Sequence, residues 1–247
     1  MTDEAAFRGG LVASLRPVQI AGTMAPVKAV ATLLIAAVTS AGAATTTATT
    51  SHLRSGIAPL TWKQKHALKT SGEWHSGCPV PRYNLRVLTT RYYGFDHRTH
   101  LGQIVVNKAV AAPLRTVFQK LYKMRFPIRK MSFGAAYGAH QDWSDLTASF
   151  ECRNAVPSPC NGNAKGTHWS MHAYGEAVDL NPRENPYVGC GMSRDKTARS
   201  YMKRSNVRPG MAIKPTFRKS FAKIGWGWGG LWTGSTKDYM HFSINGH

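Results

Sequence analysis

Two short stretches decide the reading of this chain: Ser170-Met171-His172-Ala173-Tyr174-Gly175-Glu176-Ala177-Val178-Asp179 and Asp238-Tyr239-Met240-His241-Phe242. His172 and Asp179 stand seven residues apart. A turn at Gly175 followed by a strand over Ala177 to Leu180 carries both to one side, with glycine permitting the turn. His241 comes from a second strand, distant in sequence and adjacent in a sheet. Two imidazoles and one carboxylate form the ligand inventory of a catalytic zinc site, which keeps a fourth position open for water. A His, Asp, His set carries one negative charge, so bound zinc stays Lewis-acidic. Asp238 lies three residues before His241, where its carboxylate reaches the water without binding the metal and serves as general base.

The chain around these stretches is long enough for a real core. It has 247 residues, 43% of them hydrophobic, which excludes a disordered chain. Met24 to Lys28 is a short basic start. Ala29 to Val38 is an apolar run too short to span a bilayer, and Ala41-Gly42-Ala43 supplies small residues at a cleavage site. Residues 1–43 therefore read as a secretory signal, with Met24 as an alternative start. Export predicts a secreted, wall-associated protein with no transmembrane segment in the mature chain. The formal net charge is +20. Residues 1–43 hold only Arg8, Arg16, Lys28, Asp3 and Glu4 of the charged residues, so the excess stays with the remainder. Such a field favours polyanions. For an exported protein these are anionic wall polymers or peptidoglycan carboxylates. Nucleic acid is not expected, since no binding motif accompanies the charge. A monomer is expected.

Four cysteines, Cys78, Cys152, Cys160 and Cys190, include no C-x-x-C pair, which argues against a cysteine zinc knuckle. In an oxidising compartment they form two disulfides by one of three pairings. Cys152 with Cys160, leaving Cys78 with Cys190, is the pairing expected here.

Residues 44–73, rich in Thr, Ser and Lys, read as a linker or arm. The folded domain is expected over residues 74–247. Leu85 to Tyr93, Gln103 to Asn107 and Ile128 to Phe133 read as strands. Ala109 to Met124 carries apolar residues at helical spacing and stops before Pro127. Asp142 to Phe150 reads as a loop, Phe217 to Ile224 as a short helix, Gly225 to Gly230 as a Gly-Trp loop, and Tyr239 to Ile244 as the last strand. The sum is an α+β domain, with a small, mostly antiparallel sheet flanked by helices and the zinc site in a cleft on that sheet.

With these residues in place, a family resemblance can be stated. The pattern Ser170-x-His172-x-x-Gly175-x-Ala177-x-Asp179, followed by Asp238-x-x-His241-Phe242, resembles the VanY-like D-alanyl-D-alanine carboxypeptidases and the related L-alanyl-D-glutamate endopeptidases. Gly77 to Val80, Tyr93 to Asp96, Phe126 to Ile128, Phe150 to Arg153 and Asp179 to Pro182 look like secreted actinobacterial members. The resemblance implies zinc on His172, Asp179 and His241, Asp238 as base, and Arg153 facing the substrate, where its guanidinium holds a carboxylate or the developing oxyanion. The substrate it implies is a peptidoglycan stem peptide. Many carboxypeptidase members carry Glu as the base. The shorter Asp238 resembles the endopeptidase branch, so both scissile bonds stay open.

Other residues have two readings each. Ser170 either hydrogen-bonds substrate or orients the turn. Asp142 and Asp145 either receive a substrate ammonium group or are solvated loop carboxylates. Trp226, Trp228 and Trp232 either wall the site near His241 or pack in the core. His168 reads as a residue beside the site or on the surface, and His140 and His247 as structural or disordered. The competing function is a zinc-containing wall-binding or signalling module without catalysis, against which Asp238 argues.

Overall fold

The computed structural model describes residues 55–133, 145–162, 164–213 and 215–247. The signal segment over residues 1–43, His140 and Asp142 lie outside the described residues.

Strand β1 (Gly56–Pro59) and helix α1 (Trp62–Thr70) come first. Thr61 and Gln64 start the helix with a capping box. The Gln64 N–H donates to Thr61 Oγ1 at 3.2 Å, and the Thr61 N–H donates to Gln64 Oε1 at 2.9 Å. Strands β2 (Leu85–Tyr93) and β3 (Thr99–Asn107) form a nine-pair antiparallel ladder from Leu85↔Asn107 to Tyr93↔Thr99, and β1 adds to the free edge of β2. Helix α2 (Ala111–Lys123) lays Leu114, Val117, Phe118 and Leu121 into the core, as its apolar spacing requires.

Strands β4 (Lys130–Met131) and β5 (Leu146–Thr147) pair in parallel. The longer strand expected over Ile128 to Phe133 is cut to β4 alone. The loop expected over Asp142 to Phe150 contains β5. Strand β6 (Ala177–Asp179) follows a 3₁₀ turn at Met171–Tyr174. Strands β7 (Tyr187–Gly189) and β8 (Met192–Ser193) make a short hairpin, and helix α3 (Pro215–Ala222) follows. Strands β9 (Gly227–Trp228), β10 (Lys237–Asp238) and β11 (His241–Ser243) complete the fold. The central ladder is β6–β11–β9, and β10 joins β7–β8. The α+β class and the antiparallel bias are as expected, with the strands spread over four small sheets.

One core cluster ties the elements together. Val178 of β6 and Phe242 of β11 meet Leu114 and Phe118 of α2, Ile104 of β3, and Phe217 and Phe221 of α3. Phe242 stacks on Phe221 with ring centroids 4.0 Å apart. The strands bearing His241 and Asp179 are thus anchored by their opposite face.

Two expectations need correction. Residues 56–70, expected within a loose arm, form β1 and α1. Leu60 and Leu68 of this segment are buried against Val80, Leu85, Val87, Val105 and Phe150. The apolar content is sparse, but an edge strand and one capped helix need few buried side chains. The disulfides are Cys78–Cys152 and Cys160–Cys190. The Cys152 N–H donates to the carbonyl of Glu73, so Cys78 is its neighbour. From there the chain runs on through Arg153 and Asn154, which pair with Trp169 and Ser170, and this carries Cys160 away towards the turn at Cys190.

Leu68→Ala tests whether α1 belongs to the folded unit. Loss of this buried side chain is expected to lower the unfolding free energy by about 2–5 kcal/mol, read by urea titration. A loose arm predicts no change.

Candidate metal and catalytic site

The register of β6 against β11 places Asp179 directly opposite His241. Residues opposite one another in a ladder project to the same face, so the carboxylate and the imidazole meet. Gly175 has φ +67°, and a Cβ there would sit 2.7 Å from the Asn107 backbone nitrogen. This turn therefore needs glycine on both counts, conformation and space. Asn107 braces it, donating from its backbone N–H to the Gly175 carbonyl at 2.9 Å and from Nδ2 to the Tyr174 carbonyl at 3.1 Å.

His172 Nδ1 lies 2.6 Å from the Ser149 carbonyl oxygen. A carbonyl only accepts, so Nδ1 carries the proton and the Nε2 lone pair faces inward. Nε2 stands 3.2 Å from His241 Nδ1 and 3.2 Å from Asp179 Oδ1, and His241 Nδ1 is also 3.2 Å from Asp179 Oδ1. Three donor atoms thus form an equilateral triangle. A tetrahedral ion with ligand bonds of about 2.0–2.1 Å requires donors roughly 3.3 Å apart. The triangle fits such an ion, and both imidazoles are buried, at 4% and 5% exposure. The three residues form a group that can hold a metal ion.

Burial alone raises the Asp179 carboxyl, but the imidazoles of His172 and His241 override it and hold the group far below the usual carboxylate range. Burial lowers the His241 imidazole, and the Asp179 carboxylate more than reverses that, for a net rise.

Asp238 sits on β10 opposite Tyr187. Its Oδ1 is sealed from solvent and has no hydrogen-bond partner. Burial, reinforced by the charge of Asp179, pushes its carboxyl up to about 7, against the pull of His241 and Arg153. Gly229 makes room for it, since a Cβ there would come within 2.8 Å of the Asp238 Cβ. Arg153 is held by the pairing of Asn154 with Trp169, and its Nε donates to Glu151 Oε2 at 2.7 Å. Burial lowers the Arg153 guanidinium, but Glu151, Asp179 and Asp238 hold it above its ordinary value. All four residues read from the sequence as metal ligands or base, with Arg153, therefore share one electrostatic neighbourhood.

The remaining candidates separate. The Ser170 hydroxyl accepts from the His172 N–H at 3.3 Å and caps the turn that carries it. Asp145 is buried and paired with Arg129 at 3.0 Å, so it is not a solvated loop carboxylate. Trp226 is core. Trp228 donates its indole N–H to the Tyr239 carbonyl at 2.9 Å, and Trp232 alone of the three has its ring beside His241, with centroids 6.3 Å apart. His168 is exposed, and His247 stacks on Trp232. Sequence reasoning missed the Ser149 carbonyl and the close approach of Gly229. A backbone acceptor leaves no trace in residue identity; the GWGWGG stretch did signal close packing.

A cleft of about 520 Å³ opens beside the triangle, lined among others by Glu73, Val105, Ser149, Glu151, His172 and Asp179.

Residues 163–244 match the family model of the D-alanyl-D-alanine carboxypeptidases, of the VanY-like group. The matched third of the chain contains His172, Asp179, Asp238 and His241, and supports a carboxypeptidase-like peptidase. Arg153 precedes it. Neither the curated proteins nor the solved structures yielded a match. Among the described residues, no helix is long and apolar enough to cross a membrane.

The Asp238 carboxyl yields a pH prediction for metal-free protein. Its folded value of about 7 lies above the unfolded value of 3.8. Its ionisation therefore destabilises the fold as pH rises between these values, fully above about 7, and costs nothing below 3.8. Asp238→Asn is expected to raise the melting temperature of metal-free protein at pH 8 and to leave it unchanged at pH 3.5. An equal shift at both would place the effect in packing.

Proposed function

We propose that this protein is a secreted zinc metallopeptidase that hydrolyses peptide bonds in peptidoglycan stem peptides. The bond is of the D-Ala-D-Ala carboxypeptidase or L-Ala-D-Glu endopeptidase type. The observation that carries this reading is the 3.2 Å triangle of His172, Asp179 and His241, with the unpartnered Asp238 carboxylate oxygen in the same electrostatic neighbourhood. The family match over these residues supports it.

His172, Asp179 and His241 would hold the zinc. When bound, zinc polarises the scissile carbonyl and makes water nucleophilic near neutral pH. Asp238 takes the proton of the attacking water. As the C–N bond breaks, it returns that proton to the departing amine nitrogen, so the carboxylate is regenerated. A carboxyl raised towards neutrality is suited to both halves of this transfer, and His241 and Arg153 favour its ionised form at the start. Arg153 offers its guanidinium to the developing oxyanion or to a terminal carboxylate. Glu151 orients that guanidinium through Nε.

A site that only bound metal for structure would not need a buried carboxylate beside it with one oxygen left without a hydrogen bond, which disfavours the wall-binding or signalling alternative. The basic surface suits attraction to anionic wall polymers, and the signal-like segment over residues 1–43 suits export and wall association. The catalytic unit is one chain, with no nucleic acid required.

Purified protein incubated with muropeptides should release D-alanine or a split stem peptide, read by mass spectrometry. Activity should vanish with chelator and return with zinc. Asp238→Ala should lower kcat by about 10²–10⁴-fold with zinc content retained. Equal activity of wild type and Asp238→Ala would remove Asp238 from the mechanism.

A further inference from the structure

The cleft beside the triangle is lined by three carboxylates, Glu73, Glu151 and Asp179. Two of them have partners. Asp179 faces two imidazoles, and Glu151 accepts from Arg153 Nε at 2.7 Å. Glu73 has none among the described residues. Its Oε1 is sealed from solvent without a hydrogen bond, and the like charge of Glu151 acts on it. In a chain of net charge +20, a carboxylate left without a cation in a cleft is not explained by any shortage of Lys or Arg.

The position of Glu73 is defined by the backbone. The segment 150–153, which turns at Cys152 where the Arg153 N–H donates to the Glu151 carbonyl at 2.9 Å, is flanked on one side by Glu73, whose carbonyl accepts from the Cys152 N–H at 3.0 Å. On the other it is flanked by His172, whose carbonyl accepts from the Glu151 N–H at 3.2 Å. The Glu73 backbone thus lies two strand spacings, about 10 Å, from that of His172. The Cys78–Cys152 disulfide clamps the Glu73 loop onto this segment. About 10 Å is the reach of roughly three residues of extended peptide.

We propose that Glu73 forms an ammonium-binding subsite in this cleft, which receives a primary amine carried by the peptide substrate within about three residues of the scissile bond. The inference rests on the peptide-hydrolase reading and adds a substrate determinant to it. A lone carboxylate suits a compact primary ammonium, whereas a guanidinium favours a bidentate carboxylate with both oxygens free. A metal is disfavoured, because the nearby sulfurs of Cys78 and Cys152 are joined to each other. Burial, with Glu151 adding to it, pushes the Glu73 carboxyl up to about 7. An ammonium ion seated against it favours the ionised form and relieves that condition. Glu73 is a specificity residue and does not touch the reacting atoms.

The test compares the peptide N-acetyl-L-Ala-D-Glu-L-Lys-D-Ala-D-Ala, whose lysine carries the sole primary amine, with the same peptide acetylated on the lysine amine as well, so that either scissile bond is available. For the wild type, acetylation is expected to raise KM about tenfold or more, the scale of a hydrogen bond to a charged group, with kcat little changed. Glu73→Gln should raise KM for the free amine to the acetylated value and remove the discrimination. Equal KM for the two peptides in the wild type overturns the proposal, and so does discrimination that survives Glu73→Gln. Calorimetric titration of both peptides into Asp238→Asn protein reads the same preference without turnover. If the wild type cleaves neither peptide, the proposed function fails. The calorimetric preference then still decides the subsite. If Glu73→Gln does not fold, the wild-type comparison carries the test alone.

Discussion

The pairing of Asp179 opposite His241 across β6 and β11 is the constraint on which the rest of the site depends. A slip of one residue would turn both side chains into the core, where Val178 and Phe242 now stand. The opposite face prevents that slip. Phe242 is stacked on Phe221 and Val178 packs among the residues of α2 and α3, so the hydrophobic register and the ligand register are the same register. His172 is then brought to the pair by the Gly175 turn, and the Ser149 carbonyl selects which ring nitrogen faces inward.

Around this pairing the molecule accumulates buried negative charge. Asp179 is held ionised by the imidazoles, while Asp238 and Glu73 are pushed up to about 7 by burial. Unpaired buried carboxylates oppose folding, and Arg153, on which both Asp179 and Asp238 act, is already engaged by Glu151. In the proposed function, a metal ion in the triangle and a cationic substrate group at Glu73 would each supply positive charge to these carboxylates.

The ligand triangle was legible in the sequence because its signals are local and chemically unusual: a His and an Asp seven residues apart around a glycine, and D-x-x-H before an apolar residue. Helix α2 was legible from its apolar spacing. The N-terminal part was not. Residues 56–70 look like a polar arm because β1 lies at a sheet edge and α1 buries Leu68 alone among its residues. The Thr61-x-x-Gln64 capping box was the one available sign of a helix start. Disulfide pairing depended on which segments run side by side, and spacing among four cysteines does not encode that. The place of Glu73 in the cleft was hidden for the same reason, since the segment that carries it was read as a linker.

The central claim is that His172, Asp179 and His241 form a zinc site with an open position. X-ray absorption at the zinc edge of protein loaded with one equivalent of metal tests it most directly. The account predicts a four-coordinate ion with two imidazole nitrogens, a carboxylate oxygen and a solvent oxygen, with one imidazole lost in His241→Ala. A shell containing sulfur, or one unchanged by His241→Ala, would contradict it.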